Sequence, residues 1–195
     1  MEKKRLSPAE YDLVCRFVRE RKNLLIGGGT GSGKSTFTNA ILKKMVEYTP
    51  EDRFYIVEDV PELQCEAKDK TMIAVNPRHA AEAVRTALRW TPDWIIFGEM
   101  RYGEVANELI KAWNTGHTGN VTTIHVDSCA SMLVRMENLL REEIKETIPR
   151  LSLTIHLCVH LTTMKDGPVV DEVLPTADMI QEDRLEFLRS GGKIP

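Results

Sequence analysis

The chain has 195 residues, 42% of them hydrophobic, with a formal net charge of −3. That length suits one α/β domain with a full core and is short for two. The weak acidic balance argues against a generally basic nucleic-acid surface, so no direct sequence-specific nucleic-acid binding is expected. Four cysteines, Cys15, Cys65, Cys129 and Cys158, lie far apart without a C-x-x-C pair, which points to reduced thiols and a cytoplasmic protein.

Ser7-Pro8-Ala9-Glu10 reads as a helix start, with Ser7 as N-cap, Pro8 in the first turn and Glu10 at the capping-box position. Val14, Phe17 and Val18 follow as its apolar face. No apolar h-region follows the charged residues at the N-terminus, and no window nears the ~18 apolar residues that span a bilayer. Any membrane association is therefore expected to be peripheral.

Leu24-Leu25-Ile26 is a short buried strand, and Phe37, Ala40, Ile41 and Met45 recur at helical spacing behind it. Between them, Gly28 to Ser35 fits the phosphate-loop pattern G-x-x-x-x-G-K-[ST]. Glycine permits the backbone to wrap with its N–H groups inward, and the helix N-terminus adds the positive end of its dipole. Gly28, Gly29, Thr30, Gly31, Ser32, Gly33, Lys34, Ser35 and Thr36 are thus the expected nucleotide-binding residues, with Lys34 on the β- and γ-phosphates and Ser35 on Mg2+. ATP and Mg2+ are the expected ligands.

Phe54-Tyr55-Ile56-Val57 reads as a second strand ending at Glu58-Asp59, and His79 to Trp90 as an amphipathic helix stopped by Thr91-Pro92. Trp94-Ile95-Ile96-Phe97 is a third strand, ending at Gly98-Glu99. A helix marked by Val105, Leu109, Ile110 and Trp113 follows. Val121 to Ile124 is a fourth strand, ending at His125, before a helix carrying Met132, Leu133, Met136, Leu139 and Leu140 and capped by Asp127 or Ser128. Alternating strands and crossover helices predict a mostly parallel sheet covered on both faces. Leu151 to Leu161 reads as one longer strand that turns at Lys165-Asp166-Gly167 and returns through Val169, Val170 and Val173, an antiparallel hairpin. Met179 to Leu188 is expected to be helical, and Ser190-Gly191-Gly192 to end it. The predicted organisation is a leading helix and linker remnant over 1–22, a P-loop α/β domain over 23–189 and a tail over 190–195.

Ligands of open parallel sheets bind beyond the C-terminal strand ends. Four strands end at chemistry: the phosphate loop, Glu58, Glu99 and His125. A hydrolase needs an in-line water, bound Mg2+ and stabilised phosphoryl charge. Glu58 is favoured as the water-activating base and Glu99 as the acid acting on Mg2+ through water, although residue type and position leave the two roles interchangeable. His125 is placed to hydrogen-bond the γ-phosphate, and His117 sits in the turn leading into the same strand. His156, Cys158 and His160 alternate on one predicted strand, yet no fourth zinc ligand accompanies them.

These stretches resemble a known family. Gly28 to Ser35, Ile56 to Leu63, Pro92 to Arg101, and Thr115-Gly116-His117 with Thr123-Ile124-His125 are similar, in order, to the Walker A, Asp, Walker B and His boxes of the secretion and traffic ATPases. Glu62-Leu63-Gln64-Cys65 and Lys111 to His117 resemble the type IV secretion branch, in particular the conjugal-transfer ATPases of the TrbB type. The resemblance implies a RecA-like fold, ATP turnover, and catalytic roles for Lys34, Glu58, Glu99 and His125. It also implies a structural or communicating role for Arg101 in G-E-x-R. A homohexameric ring is implied, peripheral to the bacterial inner membrane and working with secretion-channel components. Thr118 replaces the proline of the usual T-G-H-P-G, and His125-Val126-Asp127 replaces H-A-N. Pilus and type II secretion ATPases remain neighbouring readings. A nucleotide-binding switch with little turnover and a P-loop small-molecule kinase are the readings from other classes.

Overall fold

A computed structural model describes residues 6–179. The first helix, α1 (Pro8–Arg19), has the predicted capping box: the Glu10 N–H donates to Ser7 Oγ and the Ser7 N–H to Glu10 Oε2. There follow β1 (Leu24–Gly28), α2 (Lys34–Tyr48), β2 (Arg53–Glu58), β3 (Asp69–Ala74), α3 (Ala80–Ala87), β4 (Trp94–Met100) and α4 (Gly103–Asn114). The chain continues through β5 (Val121–Ile124), α5 (Cys129–Glu143), β6 (Leu157–Met164) and β7 (Gly167–Pro175). One seven-stranded sheet runs β3-β2-β4-β5-β1-β6-β7; every neighbouring pair is parallel except β6 and β7.

Because successive strand residues face opposite sides, each buried strand feeds two cores. Leu24, Ile26, Phe54, Ile56, Trp94 and Ile96 meet α1 and α2 on one face, through residues such as Val18, Leu42 and Met45. Leu25, Tyr55, Val57, Ile95 and Phe97 meet α3, α4 and α5 on the other. The expected two-sided α/β architecture is therefore present, and the near-continuous apolar runs of β1, β2 and β4 are explained by burial on both sides.

Three predictions need correction. The edge strand β3 was not expected: Asp69 to Ala74 opens on Asp69-Lys70-Thr71 and has only Met72-Ile73-Ala74 as apolar residues, because it lies at the sheet edge with none of its side chains fully buried. The predicted helix from His79 to Trp90 is α-helical only over α3, with 3-10 turns at Pro77–His79 and Leu88–Trp90. Leu151 to Leu161 is not one strand. Leu151–Leu153 is a 3-10 turn, and Leu151 and Ile155 are buried four apart while Leu153 is 72% exposed, a helical rather than an alternating pattern. Ser128, not Asp127, caps α5, accepting the Ser131 N–H. The helix predicted over Met179 to Leu188 and the tail after it lie outside the described residues, apart from Met179.

Candidate nucleotide site

At the C-terminal edge of the parallel strands, a cavity of about 470 Å³ is bounded by the phosphate loop, the tips of β2, β4 and β5, and Pro168 of the hairpin. Its loop leaves β1 at Gly28 and enters α2 at Lys34. Gly31 and Gly33 take positive φ, 74° and 87°, which glycine adopts without steric cost. Gly28 has no room for a side chain, since a methyl group would collide with the Leu161 carbonyl and the Ser32 hydroxyl.

Lys34, the first residue of α2, donates to the Gly28 and Gly29 carbonyls at 2.9 Å each. Its burial pushes the ammonium pKa down, with Glu99 and Glu62 opposing the shift. Ser35 donates its hydroxyl to Glu62 Oε2. Glu58, 5% exposed, accepts the Glu62 and Leu63 N–H groups on Oε1 at 2.9 and 2.8 Å, which folds the 59–63 loop back over the strand end. Asn39 of α2 fastens the same loop, donating to the Glu62 carbonyl and accepting the Gln64 N–H.

Glu99 follows a shift in the β4–β5 register between Phe97 and Glu99, which turns its side chain toward the cavity. Gly98 sits at this irregularity with its carbonyl bonded by Thr123 Oγ1 at 2.8 Å. Glu99 Oε2 is 2.5 Å from Arg101 Nη2, and Arg101 Nη1 is 3.2 Å from Asp59 Oδ2. Glu99 Oε1 is fully buried with no well-oriented hydrogen bond; His125 Nε2 lies 2.6 Å away.

Lys34, Ser35, Glu58, Glu99, Arg101 and His125 therefore line one cavity, as do Thr30 through Thr36. Asp59, Glu62 and Thr123 line it too. Sequence reasoning assigned them no task, although Glu62, four residues beyond Glu58 behind Pro61, was legible as a second acid in the same loop. His117 is elsewhere: its turn ends at Gly119, whose N–H donates to Asn23 Oδ1 ahead of β1, at the opposite edge of the sheet. His156 precedes β6 and accepts the Asn23 N–H on Nδ1, so it is not in strand register with Cys158 and His160. Burial pushes the Cys158 thiol up to about 12, as expected of an inert core cysteine.

A second cavity, of about 490 Å³, shares Gly33 and Pro168 with the first and has Phe37, Leu161 and Val170 among its walls. The residues fit a magnesium nucleotide. Among the described residues no three His, Cys, Asp or Glu side chains could hold a metal alone. Mg2+ ordinarily takes one or two protein oxygens together with substrate phosphates. Ser35 Oγ, Glu62 and Glu99 supply oxygens of that kind beside a phosphate loop.

Comparison with known proteins decides the family. The family model described as Type II/IV secretion system protein matches residues 2–183. The chain belongs to that family. Within it, the chain is 37% identical over 171 residues to the conjugal transfer protein TrbB of Rhizobium radiobacter, covering 87% of this chain and 53% of that protein. It is 42% identical over 138 residues to the probable conjugal transfer protein TrbB of Sinorhizobium fredii, covering 70% of this chain and 42% of the relative. The crystal structure of the VirB11 ATPase from the Brucella suis type IV secretion system, in complex with sulphate, superposes with a TM-score of 0.79 at 28% identity, covering 87% of this chain and 53% of the other. The chain thus spans about half the length of these relatives, and its place is in the type IV secretion branch of the family. No helix among the described residues is long and apolar enough to cross a membrane.

Proposed function

We propose that the chain hydrolyses ATP to drive conjugative or type IV secretion as one subunit of a homohexameric ring. The observation that carries this reading is the convergence of Lys34, Ser35, Glu58, Glu99 and His125 on one cavity at the C-terminal edge of a parallel sheet. The triphosphate lies along the phosphate loop, where the N–H groups of residues 29–35 and the Lys34 ammonium bind its oxygens. The neighbouring apolar cavity against Phe37 has room for the base. Mg2+, held by Ser35 and, through water, by Glu99 and Glu62, neutralises charge on the β- and γ-oxygens.

Glu58 takes the role of base. One of its oxygens is fixed by two backbone N–H groups, so the carboxylate is oriented before substrate arrives, and the other is left to accept a proton from water. Glu99 holds His125 on one oxygen and Arg101 on the other, and His125 faces the end of the triphosphate. Arg101 is committed to Glu99 and Asp59. The remaining positive charge required on the transferring phosphoryl group is then supplied from outside this domain, which favours a site completed by a neighbouring subunit. In this reading the ring sits peripherally on the inner membrane and docks on secretion-channel components.

The test is the Mg-ATPase rate per subunit as a function of protein concentration, with Lys34→Ala as blank. A rate that rises with concentration supports the ring motor. A flat rate at the level of the blank, with ATP still bound, overturns it in favour of a nucleotide-binding switch.

A further inference from the structure

The hairpin of β6 and β7 grips the turn between β5 and α5 at two points. His160 on β6 is 4% exposed, and both its ring nitrogens meet oxygen: Nδ1 lies 2.7 Å from Asp171 Oδ1 and Nε2 lies 3.2 Å from the Val126 carbonyl. Three residues farther along, at the first residue of α5, the Cys129 N–H donates to Glu172 Oε2 at 2.6 Å. A carbonyl only accepts, so the bond to Val126 requires a proton on Nε2. The Asp171 carboxylate orients the ring from the other side.

Val126 is held from a second direction. A methyl group built on Gly27, at the entry to the phosphate loop, would lie 2.6 Å from Val126 Cγ2, so the Val126 side chain packs closely against the Gly27 backbone. The residue immediately before Val126 is His125, whose side chain meets Glu99. The His125 side chain is 44% exposed, and the residue lies between Ile124 at the end of β5 and Val126, so its placement is set by the backbone on both sides of it. β6 and β7 are joined by ladder pairing on both sides of a register shift between His160 and Leu161, with Asp171 the extra residue of β7 at that point. The pair sits at this shift, and the second contact of the imidazole, to the Val126 carbonyl, leaves the hairpin altogether.

We infer that His160, oriented by Asp171, is a positioning residue for ATP turnover: it holds the Val126 carbonyl and so sets His125 against Glu99. The inference rests on the ATPase reading above. His160 does not line the cavity, and its ring reaches the site through Val126 and His125, leaving the nucleotide contacts to the phosphate loop.

The experiment compares His160→Gln and His160→Leu, each alone and combined with His125→Ala, in the full chain. Glutamine retains an N–H for the Val126 carbonyl, whereas leucine keeps the bulk and offers none. The expected result is a fall in kcat of about tenfold to a hundredfold for His160→Leu, the scale on which a small misplacement acts, with KM for ATP little changed. Partial recovery is expected in His160→Gln, and no further loss when His160→Leu is added to His125→Ala. Imidazole NMR spectra supply a readout independent of turnover: the His125 ring resonances shift in His160→Leu with a non-hydrolysable ATP analogue bound. Equal losses with and without His125, or unmoved His125 resonances in a folded variant, overturn the inference and leave His160 as a hairpin staple. If no variant or parent hydrolyses ATP, the ATPase reading fails, and the NMR shift still decides the positioning role.

Discussion

Glu99 and His125 meet across adjacent strands, with Nε2 of the histidine 2.6 Å from Oε1 of the carboxylate. The other carboxylate oxygen is held by Arg101, and Arg101 in turn by Asp59. One acid thereby links the tips of β4 and β5 to the loop after β2, and the same acid draws on Lys34 electrostatically. Replacing Glu99 by glutamine removes the charge while keeping the shape. We expect turnover to fall by about a hundredfold or more while ATP analogue binding stays within a few-fold of the parent, as measured by single-turnover hydrolysis and fluorescence titration. Parent-level turnover would remove Glu99 from the chemistry.

Glu58→Gln separates the base from the loop it caps. The glutamine carbonyl can still accept the Glu62 and Leu63 N–H groups, so the 59–63 loop stays in place. Nucleotide binding is expected to persist while turnover drops by about 10²–10⁴-fold. Glu58→Ala also leaves those two N–H groups without their acceptor and is expected to lose about 1–3 kcal/mol of stability in urea unfolding. Unchanged turnover in Glu58→Gln would sink the base assignment.

Gly98 lets the Glu58 side chain lie against the backbone of β4. A methyl group there would lie 3.1 Å from Glu58 Cγ, in the irregular register that presents Glu99 to the cavity. Gly98→Ala is therefore predicted to displace Glu58 and reduce kcat by roughly tenfold to a hundredfold, with ATP affinity preserved because the phosphate loop is untouched. A variant that binds normally and turns over at the parent rate would show that the contact has slack.

His156 gives a pH dependence of stability. It accepts the Asn23 N–H on Nδ1, and burial, followed by the nearby Lys22, pushes its pKa below the usual 6.5. A folded-state pKa below the unfolded value means that the stability it contributes is fully present above pH 6.5 and is lost as pH falls through the lowered value. Urea unfolding between about pH 7.5 and pH 5, across the ordinary histidine range, checks this against His156→Asn, whose amide oxygen can accept the same N–H. The parent should lose stability more steeply; parallel curves would mean that His156 does not carry the effect.

Much of this site was readable from the chain because its parts are local. The phosphate loop is a contiguous pattern whose glycines meet backbone demands, and β1, β2 and β4 are apolar runs that end in the residues that matter. Parallel strands then bring the tips of β1, β2, β4 and β5 to one edge, so Glu58, Glu99 and His125 were legible as a group. The edge strand β3 was not, because a strand with no fully buried side chain carries only a short apolar stretch, Met72-Ile73-Ala74, and Leu151 to Leu161 misled because alternating apolar residues also fit a tight turn followed by a strand. The family resemblance of four ordered boxes was likewise a property of the sequence.

Tertiary structure alone decided which atoms meet. Arg101 pairs with Asp59 from 42 residues away, Ser35 bonds Glu62, Glu58 caps a loop beyond its own strand, and His160 reaches Val126 from the far hairpin. Helix and strand periodicities arise from neighbours along the chain and can be read there. Side-chain partners depend on strand order, register and the bulge at Gly98, which result from packing the whole sheet between its two helical layers.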